Sequence, residues 1–265
     1  MSWQHFKNAI VRTPCRNLAK GLTRATLGRP IYELAIRQHE EYITALQKCG
    51  LKVTVLDALE EFADSCFVED TAICIPNQGI VYTRPGAESR RGEVERLKQD
   101  VSQVGILFDK QYILEAPGTL DGGDVMVVGD DKGGEHAYIG LSERTNKRGA
   151  EELKTLLLEE FQFQSVTIMQ IPSMLHLKSG MTAIANNTCI ATGPFVELAL
   201  KQNLKVIATD TAPLANCIVI NNHLLYPKGY SIHVLESFGF HSSIAIDISQ
   251  VQKLDGALTC SSLRF

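Results

Sequence analysis

The sequence predicts an α/β fold built from repeated ββαβ cassettes, and three observations carry that expectation. Runs rich in Val, Ile and Thr alternate with about five helical stretches, so that the order strand pair, helix, strand recurs about five times at uneven spacing. Turn residues divide several β-rich runs into hairpins, notably Pro76-Asn77-Gln78-Gly79, Asn186-Asn187 and Asn221-Asn222. No Pro- or Ser-rich stretch marks a linker, so residues 1–265 read as one domain. A doubly wound sheet is the competing architecture, but it places single strands rather than hairpins between its helices.

A strand at 6–12 opens the chain. The first helix covers 31–49, with Pro30 at its start, Gly50 at its end, and Ile31, Leu34, Ala35, Tyr42, Ala45, Leu46 and Cys49 as its buried stripe. Strands at 52–56, 71–75 and 79–83 follow. The second helix, 87–104, carries charge at Glu88, Arg90, Arg91, Glu93 and Glu95 and an apolar face at Val94, Leu97, Val101 and Val104. Next come strands at 124–128 and 136–140. A helix at 147–161 has Asn146 as its cap and Ala150, Leu153, Leu157 and Phe161 on one face. Strands at 165–170, 181–185 and 188–192 precede a helix at 194–202. Strands at 205–208, 216–220 and 223–226 precede a helix at 230–239, and a strand at 243–247 ends the series.

Composition narrows the function. The chain is 45% apolar and 21% charged, with 26 basic against 30 acidic residues and a net charge of −4. That balance offers no electrostatic case for nucleic acid or an anionic membrane surface. No stretch approaches the roughly 20 apolar residues of a membrane span. The opening Met1-Ser2-Trp3-Gln4-His5-Phe6-Lys7 has no apolar run suited to a signal peptide. The seven cysteines are odd in number and irregularly spaced, which reads as free thiols in a reducing cytoplasm and not as a zinc site. Phosphate-loop, dinucleotide and nucleophile-elbow motifs are absent, and nothing in the sequence predicts a functional metal.

What remains is a set of polar groups at turns. Cys260 lies between Asp255-Gly256 and Ser261-Ser262, and a thiol of ordinary pKa, about 8.5, needs a nearby cation or base to become a useful nucleophile. His176, in Leu175-His176-Leu177-Lys178, is the histidine whose neighbours best suit a desolvated, tuned ring. The adjacent carboxylates of Glu69-Asp70, within an apolar run, are costly to bury without a cationic partner and suit a planar guanidinium. Asp64 lies just upstream. Asp121-Gly122-Gly123-Asp124 reads on its own as an acidic turn. Arg90 and Arg144 are the basic counterparts.

Six segments then occur in order: Phe67-Val68-Glu69-Asp70, Thr83-Arg84-Pro85-Gly86-Ala87-Glu88-Ser89-Arg90-Arg91, Leu120-Asp121-Gly122-Gly123-Asp124, Arg144-Thr145-Asn146, Leu175-His176-Leu177-Lys178 and Leu258-Thr259-Cys260. Together they resemble dimethylarginine dimethylaminohydrolases of the guanidine-modifying (pentein) superfamily, over nearly the whole chain from Arg12-Thr13-Pro14 onward. The resemblance implies a five-bladed ββαβ propeller, pseudo-five-fold around a central active site. It implies cofactor-free hydrolysis of Nω-methylated arginines to citrulline and methylamine or dimethylamine.

Carried over by motif, Cys260 is the nucleophile, His176 the general acid and base, and Asp121 the acid that orients His176, although some relatives carry Glu there. Glu69 and Asp70 hold the guanidinium and Arg90 and Arg144 the substrate carboxylate. Asp64 and the backbone of Leu22 receive the α-amino group, and Leu254 contributes a substrate-contacting backbone position. Arginine deiminases, amidinotransferases and a non-catalytic ribosome-binding factor share the fold and stand as alternatives. Oligomeric state is left open, a homodimer included.

Overall fold

Five three-stranded sheets share one strand pattern, and that pattern places the site. The structure, a computed structural model, describes residues 4–265; Met1, Ser2 and Trp3, part of the stretch read above for a signal peptide, lie outside the described residues. The first unit comprises β1 (Asn8–Arg12), α1 (Tyr32–Lys48) and β2 (Lys52–Leu56), with β1 and β2 parallel. In the second, the hairpin of β3 (Ala72–Ile75) and β4 (Gly79–Tyr82) leads through α2 (Arg91–Gln103) to β5 (Lys110–Ile113), parallel to β4.

The third repeats this with β6 (Val125–Gly129), β7 (Glu135–Leu141), α3 (Lys147–Glu159) and β8 (Ser165–Gln170). The fourth uses β9 (Met181–Ala185), β10 (Thr188–Thr192), α4 (Pro194–Lys201) and β11 (Lys205–Thr209). A short α5 (Ala212–Ala215) precedes the fifth, β12 (Ile218–Ile220), β13 (His223–Pro227) and β14 (Ser242–Ile246). Finally β15 (Leu263–Arg264) pairs antiparallel with β1, so the last strand completes the first cassette. A parallel pair needs a crossover connection, and a helix or helical turn supplies one in each unit.

The middle strands β4 and β10 are buried along their whole length, which suits their continuous apolar runs, whereas the outer strands β2, β5 and β14 expose residues intermittently. No single core holds the molecule. Ile10, Leu56, Ile80 and Leu97 pack between units one and two; Val81, Leu120, Ile139 and Leu153 between two and three; Met126, Met181, Cys189 and Phe195 between three and four. Ile190, Val219 and Leu224 join four to five, and Val11, Tyr42, Leu46 and Ile220 join five to one. Each unit thus buries apolar faces against two neighbours, and the two-residue β15 adds Leu263 to the seam between units one and two.

The first strands of the units, β3, β6, β9, β12 and β15, line an axial cavity of about 960 Å³, part of it open to solvent. This is the five-bladed propeller of the sequence analysis.

Asn146 caps α3 as expected, its side chain accepting from the Gly149 N–H at 2.9 Å. The hairpin asparagines Asn77, Asn187, Asn221 and Asn222 adopt the left-handed conformation that tight turns require. Four elements differ from expectation. Helix 87–104 begins as a 3-10 turn over Glu88–Arg90, and Val104 and Ile31 lie outside the buried stripes of their helices. The 230–239 stretch forms a 3-10 helix, His233–Phe238, ended by Gly239 at φ 64°; its β-branched, aromatic and serine residues are weak α-formers and only Leu235 is buried. Strand β5 has only four residues, Lys-Gln-Tyr-Ile, too few and too polar for a hydrophobic pattern.

Candidate active site

The loops at one end of the axis bring three distant segments together. After Phe67 the chain turns through a 3-10 segment, Val68–Thr71, locked by the Thr71 hydroxyl donating to the Val68 carbonyl and the Thr83 hydroxyl donating to that of Asp70. This presents Glu69 and Asp70 in opposite directions. Asp70 Oδ2 receives Arg90 Nη1 at 2.6 Å, and its Oδ1 receives the Gly123 N–H at 3.1 Å and lies 3.9 Å from His176 Nε2. Glu69 Oε1 pairs with Lys178 Nζ at 2.6 Å and Arg264 Nη2 at 3.1 Å, leaving Oε2 buried without a hydrogen-bond partner.

The second segment is the acidic turn. Asp121 Oδ1 accepts from the Gly86 N–H at 2.9 Å, and its Oδ2 sits 3.0 Å from His176 Nε2. Gly123 has to be glycine: a Cβ there would lie 2.6 Å from His176 Nδ1 and 3.0 Å from Asp70 Oδ1. Asp124, read from the sequence as a turn residue, is fully buried and accepts from the Ser142 and Thr145 hydroxyls at 2.6 and 2.7 Å and from the Leu177 N–H at 2.9 Å. It therefore fixes the backbone beside His176. The imidazole is buried, which alone would lower its pKa, but the charge of Asp70, the Asp121 hydrogen bond and the charge of Asp124 outweigh this and hold it up at about 9. Asp121 is correspondingly held below the ordinary carboxylate range: its own burial opposes this, but the His176 bond and charge prevail.

Cys260 sits in a 3-10 turn, Thr259–Ser261. Burial, then the charges of Asp70 and Glu69, push its thiol up to about 12, against a smaller opposing pull from the Ala257 backbone and Lys178. Asn216 ties this turn to the histidine segment: its Nδ2 donates to the Lys178 carbonyl and to Thr259 Oγ1, and its Oδ1 accepts the Thr259 N–H. No hydrogen bond joins Cys260 to His176 among the described residues. Both instead line one small cavity, about 350 Å³ including open space, with Leu22, Asp64, Asp70, Arg90, Asp121, Arg144 and Leu254.

Nine of the ten site residues expected from the sequence thus meet in one cavity, and two of the ten depart from their expected surroundings. Glu69 is the tenth; it lines the axial cavity, behind the site, because its carboxylate is drawn to Lys178 and Arg264. Arg90 is buried and engaged at every nitrogen: Nε and Nη2 donate to Glu93, Nη1 to Asp70, and Nη2 also to the Asp64 and Phe67 carbonyls. Glu93 and Asp70 raise its pKa despite the opposing effect of burial. Arg90 therefore anchors the acids of the site instead of presenting a free guanidinium. Arg144 makes no ion pair or side-chain hydrogen bond among the described residues. Asp64 accepts the Leu22 N–H at 3.1 and 3.2 Å, and burial raises its pKa against the pull of Arg90.

Asp70, Asp121 and His176 offer ligand atoms within 4.8 Å of one another, the geometry of a small metal site. Arg90 against Asp70 and the raised His176 pKa favour a proton over a metal ion there.

A family model described as eukaryotic N,N dimethylarginine dimethylhydrolase matches residues 24–209. The N(G),N(G)-dimethylarginine dimethylaminohydrolase of Pseudomonas aeruginosa is 40% identical over 98% of this chain and 100% of its own. The chain belongs to the dimethylarginine dimethylaminohydrolase family. A solved structure of the Pseudomonas aeruginosa family member, a cysteine-to-serine mutant complexed with citrulline, superposes with a TM-score of 0.89 at 39% identity, covering 98% of this chain and all of that one. The N-terminal domain of ArgZ, an arginine dihydrolase, shares the fold at a TM-score of 0.80 and 15% identity over 97% of both chains.

Sequence reasoning missed Asp124, Asn216, Glu93 and Lys178 as parts of the dimethylarginine dimethylaminohydrolase site. Asp124 and Lys178 stood inside two of the six ordered segments without a role of their own, and Glu93 was visible as an acid beside the apolar stripe of α2, three residues after Arg90. Asn216 and Asp124 act through backbone and hydroxyl groups of remote segments, which no local pattern records.

Proposed function

We propose that this chain hydrolyses Nω-methylated arginines, asymmetric dimethylarginine and monomethylarginine, to citrulline and dimethylamine or methylamine. The observation that carries the reading is a thiol, an imidazole held by Asp121 and buried carboxylates converging on one small cavity. Asp70, with the unpartnered oxygen of Glu69 behind it, favours a guanidinium, and Arg144, its guanidinium uncommitted, meets the substrate carboxylate with Arg90 supporting the acids. Asp64 and the Leu22 backbone receive the α-amino group, and Leu254 walls the other side.

The Cys260 thiol lies far from thiolate in the free protein, so the bound guanidinium is the cation that lowers it. Once the thiol proton has passed to solvent, the thiolate attacks the guanidinium carbon, forming a C–S bond. As the C–N bond to the methylated nitrogen breaks, His176, held by Asp121, delivers its proton to the departing amine. The neutral imidazole then takes a proton from water, whose oxygen attacks the thiouronium carbon; the C–S bond breaks and citrulline remains. No cofactor enters.

The test is citrulline release from asymmetric dimethylarginine and from arginine, with Cys260→Ser alongside. Release from the methylated substrate only, lost in the folded variant, is expected. Release from arginine instead would make the chain a deiminase, and retained turnover in Cys260→Ser would remove the nucleophile assignment.

A further inference from the structure

We propose that Asp255 is a positioning residue for this reaction: its carboxylate pins the Leu22–Ala25 segment to the corner that precedes Cys260, and so sets the spacing between two walls of the substrate cavity. The proposal rests on the function given above.

Residues 21–30 form no regular structure, and Leu22, Thr23, Arg24 and 26–29 are exposed. Nothing in that composition keeps the segment against the cavity, yet Leu22 lines it. Two acids hold it. Asp64 accepts the Leu22 N–H on one side. On the other, Asp255 Oδ2 accepts the Arg24 N–H at 2.6 Å and lies 3.1 Å from Thr23 Oγ1, which also donates to the Lys253 carbonyl at 2.9 Å and accepts the Ala25 N–H. Beyond these, Lys253 Nζ donates to the Arg29 carbonyl at 3.2 Å farther along the segment, and Arg24 pairs with Glu143, exposed on both sides and so of little strength.

The backbone of Asp255 aims its side chain at this contact. At φ 57° and ψ 11° it occupies the left-handed region that favours glycine. Glycine would suit the turn, and Gly256 beside it is held to glycine for a different reason, since a Cβ there would meet the Phe67 ring at 2.4 Å. Aspartate is one of the few residues with a side chain that tolerate this conformation, so the corner can carry a carboxylate, and that carboxylate reaches the Thr23–Arg24 segment. Asp255 stands next to Leu254 and five residues before Cys260, and lines the cavity itself. One short side chain thus spans from the nucleophile's loop to the wall that carries Leu22. It makes no hydrogen bond to His176 or Cys260 among the described residues, so its effect falls on substrate capture and not on bond breaking.

Two variants separate the bonds from the backbone. Asp255→Gly relieves the left-handed strain while deleting the carboxylate; Asp255→Asn tolerates that conformation and keeps an acceptor oxygen. With asymmetric dimethylarginine, Asp255→Gly should raise KM by about ten- to a hundredfold, the loss expected for a charge-assisted hydrogen bond, with kcat little changed. Asp255→Asn should restore most of the KM. In ligand-free protein, trypsin should cut after Arg24 faster in Asp255→Gly than in the wild type or Asp255→Asn. An unchanged KM and cleavage rate in Asp255→Gly would overturn the proposal, as would a fall in kcat at constant KM, or equal damage in the Asn variant. Wild-type protein that turned over no methylated arginine would defeat the functional reading alone, because the proteolysis comparison needs no substrate.

Discussion

Replacing Asp121 by Asn tests how the site keeps a proton on His176. The substitution removes one negative charge 3.0 Å from Nε2 and leaves an amide oxygen able to accept the Gly86 N–H. Both partners are buried, so little solvent screens the change. A hydrogen bond to a charged group contributes about 1.5–3 kcal/mol, and at 1.36 kcal/mol per unit the imidazole pKa should fall by roughly one to two units from its value near 9. Asp70, 3.9 Å away, and Asp124 remain and keep part of the shift.

The alkaline limb of kcat, where the general acid is lost, should move down by the same one to two units, and kcat at neutral pH should drop about 10²–10⁴-fold as the ring loses its orientation. The stability effect has a definite sign. His176 has its pKa raised on folding, so its contribution is fully present below pH 6.5 and is lost as pH rises through about 9. Asp121→Asn should therefore lose more stability at pH 6 than at pH 10. The assays are a pH–rate profile of citrulline formation and NMR titration of the His176 ring in a Cys260→Ser background. An unmoved titration midpoint would refute the electrostatic account.

Three further outcomes are expected. Asp70→Asn should weaken binding of a cationic substrate by about 2–5 kcal/mol and also lower the melting temperature, because Arg90 loses its partner at 2.6 Å; inhibitor titration that shows no loss would remove Asp70 from the guanidinium contact. A haloacetamide bearing an amidinium should alkylate Cys260 faster at pH 7 than neutral iodoacetamide does, because burial leaves the unassisted thiol near pKa 12; equal rates by mass spectrometry would show a thiol activated without a ligand. His39, with Nε2 buried and unpartnered, has its pKa lowered by burial to about 4. Its contribution is present above pH 6.5 and lost as pH falls toward 4, a gap of 6.5 minus about 4, or roughly 3 kcal/mol by linkage. Urea unfolding of His39→Leu should therefore be less acid-sensitive than that of the wild type, and an equal pH dependence would count against a neutral buried ring.

Most of the propeller was legible because its units are local. A hairpin, a helix and a strand each write a period into fewer than twenty residues, and the Asn turns and the Asn146 cap mark the boundaries. What stayed hidden was short or shared. Strand β15 is two residues that mean nothing until β1 lies beside them, and β5 is too polar to stand out. The 230–239 stretch has helical periodicity without helix-forming residues, and the local preference won.

The candidate site divides in the same way. By itself the sequence determined which chemical groups were available: one thiol, one histidine among apolar neighbours, and acids and arginines in six ordered segments. Residue type and order suffice for that, because reactivity of this kind needs particular functional groups. Only the tertiary structure decided which charges face the cavity and which face one another. Arg90 turned inward to Glu93 and Asp70, and Glu69 turned to Lys178 and Arg264, because a buried charge takes the nearest opposite charge, and that neighbour comes from another blade or from another turn of the same one. The raised pKa of His176 follows from Asp70, Asp121 and Asp124, two of which lie 3.9 and 3.0 Å from its Nε2 although they come from other segments of the chain, and the high pKa of Cys260 follows first from burial and then from the charges of Asp70 and Glu69.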